Sequence, residues 1–186
     1  SAESNGERRL PHAFLYDLLN DGVLDGSMQA DPDTSWLLAA ARNDLQLVVP
    51  GWEDSTLANI MASHIMAGRL KGSDVVRSGV EYMLSFAEWY RAQTRPVGFL
   101  QVGGGIAGDF PICTVPMLRQ DLGEDVPHWA WFGQISESSP SFGGYSGAPP
   151  NEKITWGKLL PETPRFVIES DATLVLPLLL GYVLDA

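Results

Sequence analysis

The sequence predicts an α/β fold: a Rossmann-like, three-layer domain built on a mostly parallel sheet. Two observations carry this reading. Short apolar runs such as F-L-Q-V and R-F-V-I-E, bounded by Gly, Pro or acidic residues, alternate with longer segments that are apolar at helical spacing. Strands separated by helices pair in parallel and are covered on both faces by those helices. A chain of 186 residues is long enough to bury one good core, and a second domain is not required.

The elements follow in order. Residues 1–10, S-A-E-S-N-G-E-R-R-L, are polar and read as a flexible segment, leaving 11–186 as the folded portion. Pro11 to Leu24 reads as a helix with Phe14, Leu15, Leu18 and Leu19 on one side. Asp33 or Thr34 is placed to cap the next helix, W-L-L-A-A-A-R-N. L-Q-L-V-V-P reads as a short buried strand stopped by Pro50. Asp54 or Ser55 caps the helix that follows G-W-E-D-S, and a long amphipathic helix covers Asp74 to Ala92. In the second half, V-G-F-L-Q-V is a strand, G-G-G-I-A-G-D-F a tight turn and P-I-C-T-V-P-M-L-R-Q a short helix. W-A-W-F-G-Q-I is another strand, followed by a loop rich in glycine and serine. R-F-V-I-E is the last strand and A-T-L-V-L-P-L-L-L-G-Y-V-L the closing helix.

Charge excludes some functions. A formal net charge of -11 argues against a nucleic-acid surface, since phosphate binding wants a cationic footprint; it suits a cationic partner or substrate. The six tryptophans have no basic residues interleaved with them, so they read as core and interface anchors, not as a base-stacking platform. The single cysteine, Cys113, cannot form an internal disulfide, and F-P-I-C-T-V-P-M-L has the character of a buried segment. No signal peptide and no apolar run long enough to span a bilayer are visible. Together these predict a cytoplasmic protein with no membrane association. The three histidines are far apart and lack ligand spacing with Cys113, so no metal site is expected.

A parallel sheet gathers strand ends onto one edge, where ligands bind. Glu53, Asp54 and Asn59 follow the L-V-V-P run, Gly103, Gly104, Gly105 and Asp109 follow F-L-Q-V, Glu137 follows W-F-G-Q-I, and Asp171 follows F-V-I-E. The triple glycine permits close backbone approach to a ligand, or serves only a tight turn. Asp171 either caps the last helix or holds a ribose hydroxyl. Glu53, Asp109, Glu137 and Glu152 form an acidic set that can neutralise the separated ammonium groups of a polyamine, with Trp156 laid along its methylenes; the alternative is a set of solvated loop carboxylates. Lys158, in P-N-E-K-I-T-W-G-K, is a binding residue, an imine-forming nucleophile or a loop lysine facing water.

Four segments, in order between about Leu45 and Leu184, carry a family resemblance: P-G-W-E-D-S-T-L-A-N, V-G-G-G-I-A-G-D-F-P-I, Y-S-G-A-P-P-N-E-K-I-T-W-G-K and E-S-D-A-T-L-V-L-P-L-L. Together, and above all through W-G-K followed by D-A-T, the chain resembles the C-terminal catalytic portion of deoxyhypusine synthase-like proteins of the bacterial branch. The resemblance implies an NAD-dependent transfer in which a hydride leaves the amine carbon of spermidine and the aminobutyl unit is carried as an imine on a lysine. It passes to an acceptor amine, and the hydride is returned. Lys158 matches the carrier lysine. Trp156, Glu152 and Ser146 match residues that line the polyamine channel. Asp54, the Gly103–Gly105 turn, and Asp171 with Ala172 match cofactor-side segments, and Glu137 lies near the corresponding cofactor loop.

The departures from the family pattern bear on substrate. Asn59 stands where the eukaryotic enzymes have aspartate, and Asp109 stands where they have a histidine thought to assist proton transfer. F-G-G-Y-S-G replaces their D-G-S-D-S-G, so Phe142 and Tyr145 replace acids. These changes put spermidine and a protein-lysine acceptor in question more than the transfer chemistry itself, and they fit putrescine, as in homospermidine-forming relatives, or agmatine. The family's chain is roughly twice as long, so the resemblance implies a complementary N-terminal-half chain or domain and a dimer or tetramer. The rivals are a non-catalytic regulatory subunit or paralogue, and a small α/β oxidoreductase that releases NADH.

Overall fold

The computed structural model describes residues 6–185, which divide into two compact units, the first running to Phe86 and the second starting at Ala87. No described helix is long and apolar enough to cross a membrane.

The first unit is helical. Helix α1 (Pro11–Asn20) starts on a proline, whose missing N–H is one that no helix start can satisfy. It ends at Asn20, four residues before the expected Leu24. Helix α2 (Trp36–Arg42) is capped by Ser35, whose side chain accepts from Leu38 N–H; the expected caps Asp33 and Thr34 belong instead to a short 3-10 turn. Tyr16 and Leu19 of α1 meet Leu38, Ala40 and Ala41 of α2 in a small core. Helix α3 (Thr56–Met66) is capped by Ser55 and buries none of its residues. The L-Q-L-V-V-P run is not a strand: it has no ladder partner, and Leu47 packs against the α1–α2 core. A strand needs a neighbour for its N–H and C=O groups, and apolar composition alone does not supply one.

Of the expected flexible segment, residues 1–5 lie outside the described residues. Arg8 is paired in a fork with Glu81 (2.9 Å to each oxygen), and Arg9 forms a parallel bridge with Val76. Helix α4 (Gly79–Arg91) begins five residues later than expected, with the Ser78 backbone N–H donating to Glu81 Oε2 at 2.7 Å.

The second unit carries the sheet. Strands β1 (Phe99–Val102), β2 (Phe132–Ile135) and β3 (Arg165–Ile168) pair in parallel in the order β1-β2-β3. The register is Phe99–Phe132–Arg165 through Val102–Ile135–Ile168, so all three strands end level. Helix α5 (Ile106–Ile112) begins inside the segment read as a tight turn and continues through Thr114–Pro116 into a π turn at Met117–Asp121. Helix α6 (Pro150–Thr155) follows β2, and α7 (Ala172–Leu184) follows β3. Tyr90, Trp129, Phe99 and Phe132 form a chain of ring contacts with centroids 4.8–6.1 Å apart, and Trp129 Nε1 donates to Ile112 O. Cover on both faces is incomplete: every β3 residue is exposed, and α7 buries none of its residues despite its apolar sequence.

Glu81 gives the first unit a pH signature. The Ser78 N–H, then the Arg8 and Arg77 guanidiniums, favour its charged form and hold its carboxyl near 2 instead of the ordinary 4.5. A depressed folded-state value means stability present above about pH 4.5 and lost as pH falls toward 2. Thermal melts between pH 6 and 2.5 should show that loss, and Glu81→Gln should flatten it.

Candidate active site

Two buried glutamines fix the loops at the carboxyl edge of the sheet. Gln101 and Gln134 face each other in the β1–β2 register. Gln101 Nε2 donates to Gly103 O at 3.0 Å, and Gln134 Nε2 donates to Ser146 O at 2.8 Å. Ser136 Oγ donates to the same Ser146 carbonyl at 3.2 Å. The turn after β1 and the turn before α6 are thereby set side by side.

Their contact depends on glycine. A Cβ on Gly104 would stand 2.3 Å from Ser146 Oγ and 2.5 Å from its Cα, so no side chain fits. Gly103 and Gly105 have φ of 78° and 67°, the left-handed region that L side chains avoid, and their surroundings are open. The three glycines therefore turn the chain sharply into α5 and admit the Ser146 turn.

Asp109, in the first turns of α5, faces Lys158, which follows the Trp156–Gly157 turn after α6. Lys158 Nζ lies 2.9 Å from Asp109 Oδ1. The lysine is 7% exposed, whereas the aspartate is half exposed. Cys113, one turn beyond Asp109, directs its Sγ to the same oxygen at 3.5 Å. These residues line a cavity of about 480 Å³ together with Tyr145, Glu152 and Trp156. Lys158 Nζ is 5.4 Å from the Tyr145 ring centre, a cation–π distance. Burial pushes the Tyr145 phenol well above its ordinary value, and Asp109 adds to the shift. Burial also pushes the Cys113 thiol up, against the opposing pull of Lys158.

The positions singled out in the sequence distribute as follows. Lys158, Asp109, Glu152 and Trp156 meet at this cavity, with Ser146 and Gly103–Gly105 beside one another. Glu137 is exposed just past β2. Asp171 caps α7, its Oδ1 accepting from Thr173 N–H at 2.7 Å, which lowers its pKa; Ala172 is the first residue of that helix. Glu53, Asp54 and Asn59 belong to the first unit, where all three are exposed. Tyr145 and Cys113 line the cavity, and Lys153 lies fully buried at the Tyr145 ring. The sequence reading assigned Cys113 and Lys153 no site role, and Tyr145 entered only as the replacement of a family acid. The available signal was the pairing of Lys153 with Lys158 across W-G: the chain contains only three lysines.

The second unit thus sets a buried lysine beside a carboxylate at the carboxyl edge of a small parallel sheet. Comparison with known proteins narrows the class. The family model for deoxyhypusine synthase matches residues 23–183, and the chain belongs to the deoxyhypusine synthase family. It is 30% identical over 184 residues to a deoxyhypusine synthase-like protein of Nostoc punctiforme, covering 96% of this chain and 46% of that one. A similar protein of a Cyanothece strain is 30% identical over 189 residues. A probable deoxyhypusine synthase of Aeropyrum pernix is 29% identical over 165 residues, with 89% of this chain and 48% of the relative covered. The chain thus spans about half the length of the curated relatives it matches.

Gly104→Ala is expected to push apart the two turns that carry Asp109 and Ser146. The loss should be about 1–3 kcal/mol, the usual range for overpacking against backbone, read from urea denaturation.

Proposed function

We propose that the chain is the catalytic portion of an NAD-dependent amine transferase that carries an aminobutyl-type group as an imine on Lys158. The observation that supports this most directly is the buried Lys158 amine, 2.9 Å from Asp109, on a cavity shared with Glu152 and Trp156.

The chain's own groups suit the steps. A nucleophilic lysine must first lose a proton, and Asp109 Oδ1 already accepts its hydrogen bond. The neutral amine attacks the imine carbon of an oxidised donor. A bond forms between Nζ and that carbon, the old carbon–nitrogen bond breaks, and the departing amine takes up a proton. An acceptor amine then reverses the exchange and frees Lys158. Glu152, at the cavity mouth, meets the distal ammonium, and the exposed Trp156 ring lies along the methylenes. Glu53 and Asn59 are proposed to complete the substrate contacts in the full assembly.

The Rossmann-like reading and NAD go together. The backbone of Gly103, Gly104 and Gly105, with Ser146 against it, offers an approach without side chains at the level edge of three parallel strands, which fits a dinucleotide. Asp54, Glu137, Asp171 and Ala172 are the further proposed contacts. The chemistry the cofactor supplies when bound is reversible hydride acceptance from the amine carbon. We further propose that a complementary half, as a separate chain or domain, completes the site within a dimer or tetramer. The relatives' double length and the exposed apolar faces of β3 and α7 support this. Donor and acceptor are a polyamine or small cationic amine, with spermidine, putrescine and agmatine as the first to assay and a protein lysine as a further acceptor.

Borohydride reduction of the complete assembly turning over an amine with NAD should leave the transferred group on the W-G-K peptide, and Lys158→Ala should abolish transfer while NAD still binds. Adduct-free turnover, or transfer by the alanine variant, would sink the carrier role. Net accumulation of NADH would favour a simple oxidoreductase, and no turnover with any amine a non-catalytic subunit. Glu152→Gln should weaken binding of a cationic amine several-fold at low salt and less at high salt, since its contribution is electrostatic; isothermal titration at two ionic strengths reads the difference.

A further inference from the structure

A second lysine stands behind the candidate carrier. Lys153, on α6, is 1% exposed and among the largest fully buried side chains. Its Nζ donates to Ala148 O at 2.9 Å and lies 4.5 Å from the Tyr145 ring centre and 5.7 Å from that of Phe132. Among the described residues it has no ion-pair partner. Its main chain is committed as well: Lys153 O accepts from Lys158 N–H at 2.9 Å and from Leu159 N–H at 3.3 Å. Both ammonium groups therefore address one aromatic ring, and the backbone of one holds the backbone of the other. Two of the three lysines in a chain of net charge -11 are buried at this one place.

Packing alone does not account for this. Enclosing an amine with one hydrogen bond and no carboxylate is unfavourable, and an apolar side chain of the same length would fill the space more stably. Burial accordingly lowers the pKa of Lys153, with Glu152 opposing and Lys158 adding to the shift. The reason for the amine must therefore lie in what it holds in place, not in net stability. It holds Ala148 O, at the end of the turn that contains Tyr145, and it holds the ring itself. Tyr145 needs holding: its hydroxyl is buried without a hydrogen-bond partner among the described residues, so nothing else fixes the ring by its polar end.

We infer that Lys153 is a positioning residue for the cavity: its buried amine fastens the Tyr145–Ala148 turn and the Tyr145 ring, and that ring with Asp109 sets where the Lys158 amine stands. The inference rests on Lys158 being the reactive amine of the site, but not on the identity of the transferred group. Its test therefore uses a generic carbonyl. The full chain is treated with propanal and borohydride, and alkylation at Lys158 is measured by peptide mass relative to exposed Lys71.

Lys153→Met keeps length and apolar bulk and removes the amine. The expected result is a melting temperature equal to or above that of the parent, together with a roughly tenfold drop in Lys158 alkylation, the scale on which small misplacements of reacting groups act. Unchanged alkylation in a folded Lys153→Met variant overturns the inference, and so does a parallel loss of stability and labelling, which marks a structural residue only. If that variant does not fold, Tyr145→Leu is decisive, because it removes the ring that both lysines face. It should lower Lys158 alkylation several-fold, and parent-like alkylation overturns the inference. Polyamine trapping on Lys158, run separately, distinguishes failure of the amine-transfer reading from failure of this one.

Discussion

The rung from Phe99 through Phe132 to Arg165 starts three strands at one level, and three residues later all three stop together. Nearly everything in the second unit depends on that parallel, in-register pairing. It delivers Gly103, Ser136 and Glu169 to one edge, and with them the turns that enter α5, the serine loop and α7. An antiparallel arrangement would scatter those turns over both ends of the sheet. Parallel pairing also puts Gln101 beside Gln134, and these two amides reach out of the sheet to tie down the loops on either side of the cavity.

The cavity itself is a small electrostatic problem with an economical solution. Two lysine amines, the Asp109 carboxylate, one thiol and one phenol stand close together at and behind the cavity. Asp109 accepts from both Lys158 and Cys113, and Tyr145 offers its ring face to both lysines. Low local polarity strengthens each of these contacts and makes any unmet group costly. The result is a buried lysine whose amine is held against a partner that is itself half exposed. The proposed function assigns the exposed Trp156 and Glu152 to a flexible cationic chain, and Lys158 with Asp109 to the reacting centre.

The uncovered parts are as informative as the covered ones. Phe166, Val167 and Ile168 of β3 and Leu174, Leu178 and Tyr182 of α7 present apolar surface in a region where the strand pattern predicts burial. A buried parallel strand and a wholly apolar helix are sequence features of an interior. Their exposure accords with a chain that spans about half the length of its relatives. In the first unit, the L-Q-L-V-V run has strand composition and no strand to pair with.

What the sequence determined by itself was local. Apolar runs of five to seven residues between turn formers marked all three strands, Ser55 was one of two caps read for its helix, and Lys158 with Glu152 and Trp156 was visible because the surrounding motif is distinctive. The sequence was less able to place helix starts and the cavity's hidden members. Gly-Ile-Ala-Gly-Asp-Phe has no helical apolar period, yet α5 starts there once Gly105 has turned the chain. The L-Q-L-V-V run needed a neighbour that composition does not reveal. Lys153 drew no reading of its own, because nothing in P-N-E-K-I-T states that Phe132 and Tyr145, 21 and 8 residues away in the chain, close over it. Propensity and periodicity are properties of neighbours in sequence, but burial and the sharing of one ring by two lysines are properties of neighbours in space, and only the tertiary structure decides those.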